Sequence, residues 1–226
     1  MKKFAVITAG GSGSRMGTEL PKQFLLLAGK PVLWHTLRAF QEAYPDIFFV
    51  LVIPAAHSAA GKVILNELNL TEQSVLVEGG ATRFHSVQNG LQKVEAGSIV
   101  FVHDGVRCLV TPDLIRRCGM QAEALGSAIP AVASADSVRL ADEAGGHRSV
   151  DRNRVRMIQT PQTFKSDIIL PAFQQEYKDG FTDEATVVEA AGTPVFLIEG
   201  EYSNLKITRP VDLLVAETVL QERSGQ

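Results

Sequence analysis

Phe4-Ala5-Val6-Ile7-Thr8-Ala9-Gly10-Gly11-Ser12-Gly13-Ser14-Arg15-Met16-Gly17 is a short apolar run that leads straight into glycines. The run is too short for the core of a signal peptide and reads instead as a buried first strand. In open parallel sheets, ligands bind beyond the carboxyl ends of the strands. Glycines at that place let backbone N–H groups approach phosphate oxygens with no Cβ in the way. Arg15 and Lys22 add positive charge to the same loop. Arginine grips a phosphate through two parallel hydrogen bonds, and lysine supplies a compact point charge. With Pro21-Lys22-Gln23 closing it, the segment 9–23 reads as a phosphate cradle.

Three better-known glycine motifs do not fit. A Walker A loop ends in Gly-Lys-Ser/Thr, which is absent here. A dinucleotide fingerprint needs its third glycine where Met16 stands, and the next strand, ending near Ile53, offers no acidic residue for a ribose. A nucleophile elbow needs glycine two residues after its serine, where Ser12 has Ser14.

Outward from the loop, apolar runs alternate with amphipathic stretches. Residues 4–8, 47–53, 74–77, 99–103 and 127–132 read as strands covered on both faces, and 32–44, 58–68, 82–96 and 113–125 as helices. Thr111-Pro112-Asp113 is a helix start, with threonine as cap and proline in the first turn. The alternation predicts an α/β fold, a mostly parallel sheet between helices. Residues 136–140 and 148–150 break the rhythm around the polar stretch 141–147, which contains Gly145-Gly146. They read as a hairpin projecting from the body, with too little apolar surface to stand alone. Beyond it follow a strand at 155–159, helices at 166–177 and 183–191, a strand at 195–198 and a helix at 210–221.

The length of 226 residues suits one domain, and 45% hydrophobic residues suffice for a sizeable core. A formal net charge of −3 provides no overall basic field, so neither nucleic acid nor an anionic membrane is an expected partner. Cys108 and Cys118 form no Cys-x-x-Cys pair and no disulfide framework, which suggests a reducing, cytoplasmic location. No stretch approaches the length of a membrane span.

The loop resembles the signature Ala-Gly-Gly-x-Gly-x-Arg-Met-Gly followed by Pro-Lys-Gln of the cytidylyltransferases of the 2-C-methyl-D-erythritol 4-phosphate pathway. Further segments resemble that family in order: Gly79-Gly80 with Arg83 and Ser86, His103-Asp104-Gly105-Val106-Arg107, Asp136-Ser137-Val138-Arg139, Val150-Asp151-Arg152, Gln159-Thr160-Pro161-Gln162, Thr182-Asp183-Glu184-Ala185 and Asn204-Leu205-Lys206-Ile207-Thr208. Cys108, where the family usually has proline, and Ser137, where threonine is commoner, depart from the pattern. A cytidylyltransferase acting on ribitol 5-phosphate shares the loop, arm and reaction. The short Thr18-Glu19-Leu20 stretch and Met157-Ile158 look more like the methylerythritol group.

The resemblance implies a Rossmann-like three-layer α/β/α sandwich, one nucleotidyltransferase domain over 1–226, with a β-arm at about 136–152 exchanged in a homodimer. It implies transfer of a cytidylyl group from CTP to a polyol phosphate, with pyrophosphate leaving. Arg15, Lys22 and Lys206 would be catalytic. Ala9, Gly10, Gly11, Gly13, Gly80, Ala81 and Ser86 would hold the nucleotide. Arg107, Ser137, Arg152 and Thr160 would bind the polyol phosphate, Ser137 and Arg152 arriving from the second subunit. Asp104 would hold a divalent cation, Mg²⁺, although an aspartate at a strand end also serves as a turn cap. Glu201 is a loose candidate for a second metal carboxylate. His103 reads as a structural histidine. Asp183 and Glu184 fit a charge pair at a helix start under Thr182, or alternatively an arginine-orienting role.

Overall fold

The computed structural model describes residues 1–11 and 20–225; Gly13 and Arg15 of the cradle lie outside the described residues. Strand β1 (Lys3–Thr8) is central in an eight-stranded sheet. It pairs in parallel with β4 (Phe48–Ile53) on one side and β6 (Ile99–Asp104) on the other, and β4 pairs in parallel with β5 (Ser74–Glu78). Beyond β6 lies β11 (Gln162–Lys165), antiparallel to it, and then β7 (Ser127–Ala133). Strand β7 also carries β10 (Arg156–Ile158), antiparallel, and β12 (Leu197–Glu199), parallel. A small hairpin, β2 (Leu26–Leu27) with β3 (Lys30–Pro31), stands apart.

The apolar runs bury both faces because successive strand side chains point to opposite sides. Ala5 and Ile7 join Phe49, Leu51 and Phe101 under α1 (Val32–Ala43), α2 (Ser58–Glu67) and α4 (Pro112–Leu125). Phe4 and Val6 join Val50, Val52 and Val102 under α3 (Arg83–Leu91), α5 (Ser166–Ala172) and α6 (Glu184–Ala190). The result is a three-layer α/β/α sandwich with a mostly parallel sheet. Helix α7 (Pro210–Ser224) closes a third cluster in which Leu27, Val32, Cys108, Ile207 and Ala216 meet. No helix among the described residues is long and apolar enough to cross a membrane.

Local chemistry explains most boundaries. Thr111 caps α4 through Leu114 N–H at 3.1 Å, with Pro112 in the first turn and Gly126 at φ +96° behind it. Three sequence readings change. The helix expected over 82–96 ends at Leu91, because the chain must turn through Gly97 at φ +70° to enter β6. The helix expected over 166–177 ends at Ala172, one residue after Pro171. Strand β11 has no counterpart in the periodicity: its Gln162 is buried but satisfied by Asp183 and by Ala185 N–H, so it carries no apolar signature.

The projecting hairpin forms from β8 (Val138–Ala141) and β9 (His147–Val150), antiparallel and unattached to the main sheet. Asp142 makes its tip, accepting from Ala144 and Gly146 N–H while Gly145 adopts φ +84°. Leu140 is half exposed on it.

Candidate active site

A cavity of about 450 Å³ opens at the carboxyl ends of β1, β4, β5 and β6. That volume fits a small-molecule ligand, and the position is where open parallel sheets bind one. Thr8 to Gly11 form one wall, with Lys22 and Gln23 behind them. Gln23 is buried and donates to Ala9 C=O at 2.7 Å, which ties the two ends of the cradle together. Lys22 is 8% exposed and donates to Ile207 C=O at 2.9 Å, beside Lys206.

Gly79, Gly80 and Ala81 form the opposite wall. A Cβ on Gly80 would lie 2.4 Å from His85 Cβ and 2.8 Å from its carbonyl carbon, so glycine is required there. Gly80 N–H donates to Ser86 Oγ at 3.0 Å, and Ser86 Oγ donates to Thr82 C=O at 2.9 Å. Thr82 caps α3, which turns that helix start towards the cavity.

The floor is electrostatic. Asp104 ends β6, where it is 6% exposed. Its Oδ1 meets Arg83 Nε at 3.1 Å, and its Oδ2 meets Lys206 Nζ at 3.0 Å and Arg107 Nε at 3.5 Å. Burial pushes the Asp104 carboxyl upward, but Arg83, Lys206 and Arg107 outweigh it and hold the group well below the usual carboxylate range. Arg83 continues to Glu184 with a two-pronged pair, 2.5 Å and 3.1 Å. Burial opposes the Arg83 charge, and Glu184 and Asp104 together hold it above its ordinary value.

Sequence comparison agrees with this geometry. The profile described as "IspD: 2-C-methyl-D-erythritol 4-phosphate cytidylyltransferase" matches residues 4–222. The chain belongs to that family. It is 44% identical over 220 residues to the 2-C-methyl-D-erythritol 4-phosphate cytidylyltransferase of Bacteroides thetaiotaomicron, covering 97% of this chain and 100% of the relative. The Bacteroides fragilis enzyme of the same name is 43% identical over 97% of this chain and 100% of its own. Among solved structures, the 4-diphosphocytidyl-2C-methyl-D-erythritol synthase of Anaerococcus prevotii superposes with a TM-score of 0.83 at 30% identity, covering 97% of this chain and 98% of that one. The Thermus thermophilus cytidylyltransferase does so with 0.76 at 30% identity, covering 98% and 100%. Membership of this family makes the protein an enzyme, a cytidylyltransferase.

The structure brings Ala9, Gly10, Gly11, Lys22, Gly80, Ala81, Ser86, Asp104 and Lys206 onto the cavity. Arg107 and Thr160 stand one layer back. Arg107 Nη1 donates to Asn204 C=O at 3.0 Å, and Thr160 Oγ1 accepts Asp104 N–H at 3.2 Å. Ser137 and Arg152 lie on and beside the exposed arm, where Arg152 donates to Ala135 C=O. Glu201 is directed away from the cavity, to Thr111 at 2.6 Å and Arg117 at 3.6 Å. Cys108 packs as a small hydrophobe, and burial pushes its thiol up to about 12, so it is inert at neutral pH.

Two sequence readings resolve at the floor. Asp183, not Thr182, caps α6, accepting Thr186 N–H at 2.9 Å. Glu184 is 1% exposed and engages Arg83, so it orients an arginine rather than decorating a solvated helix end. Arg83, which the resemblance set in the segment Gly79-Gly80 with Ser86 and gave no individual role, lines the cavity as well. Its place in the first turn of an expected helix was visible in the sequence, but its two partners were not.

Proposed function

We propose that this enzyme transfers the cytidylyl group of CTP to 2-C-methyl-D-erythritol 4-phosphate, releasing pyrophosphate and forming 4-diphosphocytidyl-2-C-methyl-D-erythritol. The observation that carries this reading is one cavity that combines glycine walls with a group of cationic side chains. Glycine walls with backbone groups and Ser86 suit a nucleoside, and Lys22, Arg83 and Lys206 lining the same cavity suit phosphates. A substrate phosphate oxygen attacks the α-phosphorus in line, and the bond from that phosphorus to the bridging oxygen of pyrophosphate breaks. The obstacle is repulsion between polyanions, so catalysis rests on positioning and charge neutralisation. Lys22, Lys206 and Arg15 neutralise the charge that develops on the α-phosphate and leaving group. No protein nucleophile is needed.

Asp104 suits Mg²⁺, which binds through one or two carboxylates with substrate phosphates supplying other ligands. Among the described residues no group of three or more His, Cys, Asp or Glu side chains gathers as a metal cage, in keeping with that division of ligands. Bound there, the ion would add charge neutralisation at the phosphates. Arg152 and Ser137 lie outside the cavity of their own chain, which supports an exchanged arm that completes a partner's site for the polyol phosphate.

Pyrophosphate release, measured with CTP and Mg²⁺ against each polyol phosphate, tests the reading. Turnover of the methylerythritol substrate at least about tenfold above that of ribitol 5-phosphate, in kcat/KM, is the expected result. Turnover of ribitol 5-phosphate alone overturns the choice of acceptor.

A further inference from the structure

Glu184 does not reach the cavity, yet a series of fixed contacts connects it to the cavity floor. The start of α6 is capped by its own Asp183 and bolted to β11 at two points through Gln162. Asp183 accepts Thr186 N–H at 2.9 Å, Gln162 Nε2 donates to Asp183 Oδ2 at 3.0 Å, and Ala185 N–H donates to Gln162 Oε1 at 2.8 Å. This leaves the buried Glu184 carboxylate little freedom. Both of its oxygens receive Arg83, at 2.5 Å and 3.1 Å, and the third edge of the same guanidinium holds Asp104 Oδ1 at 3.1 Å. A guanidinium is planar, so fixing two of its nitrogens fixes the direction of the third.

A buried ion pair is weak evidence for stability, because its desolvation offsets the attraction between the charges. The Glu184–Arg83 pair therefore calls for another reason. Arg83 lies between two carboxylates. With Glu184 charged, the two terminal guanidinium nitrogens are held on Glu184 and Asp104 is offered the single Nε–H. Without that anchor it can rotate to engage Asp104 with both prongs and cover the oxygens that face the cavity.

The geometry points to Glu184 as a positioning residue that acts through Arg83 to keep Asp104 aimed into the cavity. This rests on the proposed cytidylyl transfer. Glu184→Gln preserves shape but sets an amide N–H against one arginine N–H. The expected result is a fall in kcat of about 10- to 100-fold, the range typical of groups that orient a ligand from behind. KM for CTP should stay within about twofold, since the contacts of Ser86 with Gly80 and Thr82 involve neither Glu184 nor the Arg83 side chain. The loss should disappear in an Arg83→Gln background, because the pathway through the guanidinium is already cut. Arg83→Lys, which keeps the charge but not the fork, should lose a similar factor without unfolding, and serves if Glu184→Gln does not fold.

Wild-type kcat in Glu184→Gln or Arg83→Lys overturns the inference. So does an equal loss from Glu184→Gln with and without Arg83. If the wild type turns over neither polyol phosphate with CTP, the functional reading and this inference fall together. Normal wild-type turnover with unimpaired variants overturns this inference alone.

Discussion

The imidazole of His103 lies fully buried between Asp104 and the loop that carries Thr160. Thr160 Oγ1 accepts Asp104 N–H, so its proton goes to His103 Nδ1 at 2.9 Å. The ring's other nitrogen, Nε2–H, then donates to Arg107 C=O at 3.2 Å. This one-way chain needs a neutral ring, and burial, reinforced by the nearby arginines, lowers the His103 pKa to about 3 against the Asp104 attraction. The consequence for stability has a definite sign. Below the unfolded-state value of 6.5 the unfolded chain takes up a proton that the native ring refuses, so stability is lost as pH falls from there towards 3. Each pH unit inside that window removes up to about 1.4 kcal/mol. Melting temperature followed from pH 7 to 5 should therefore fall, and His103→Asn, which retains an acceptor for Thr160, should flatten the slope. An unchanged slope in that variant would assign the titration to other groups.

At the scale of elements, helix α3 shows how close packing sets the site. Its Gly90 faces the sheet, where an added Cβ would lie 2.7 Å from Val6 Cγ1 and 2.8 Å from Val52 Cγ2. Both valines are buried and stiff at χ1, so neither can yield cheaply. Alanine gains up to about 1 kcal/mol of helix propensity over glycine. Overpacking costs about 1–3 kcal/mol. Gly90→Ala should thus be a net destabilisation in urea denaturation. Movement of α3 away from β1 and β4 would also shift Ser86 and Arg83, so turnover should fall with it. Gly97→Ala, where nothing lies within 4 Å but φ is +70°, isolates backbone strain from crowding as a comparison. A Gly90→Ala variant as stable as the parent would show that the sheet yields at this contact.

For the whole molecule, the arm is the feature that the single chain does not explain. Strands β8 and β9 are exposed, carry Leu140 on the outside and belong to no larger sheet. An isolated two-stranded hairpin is only marginally stable in water, which argues for a second surface against it. If arms exchange, Lys22→Ala and Arg152→Ala damage different subunits' contributions to one site. Mixing the two variants after dissociation and reassociation gives mixed dimers with one intact site each. Random pairing should then recover about a quarter of wild-type activity, as a twofold dimer requires. No recovery would locate Arg152 in its own chain's chemistry or outside the chemistry altogether.

Several features were legible in the residues alone. Alternating apolar runs declared a covered sheet, and Thr111-Pro112 marked the start of α4, because these signals are local and depend on burial and caps. The hairpin at 138–150 was legible for the same reason. Tertiary structure alone decided what stands around Asp104. Arg83 meets Glu184 across 101 residues, and Arg107 meets Asn204 C=O across 97, separations at which no periodicity carries information. Strand β11 was hidden because its buried Gln162 is satisfied by the start of α6, which a sequence pattern cannot show. The chain's composition and spacing thus determined a covered, mostly parallel sheet with glycines following its first strand. The folded path determined which charges oppose one another at the cavity floor, because ion pairing depends on distance in space rather than along the chain.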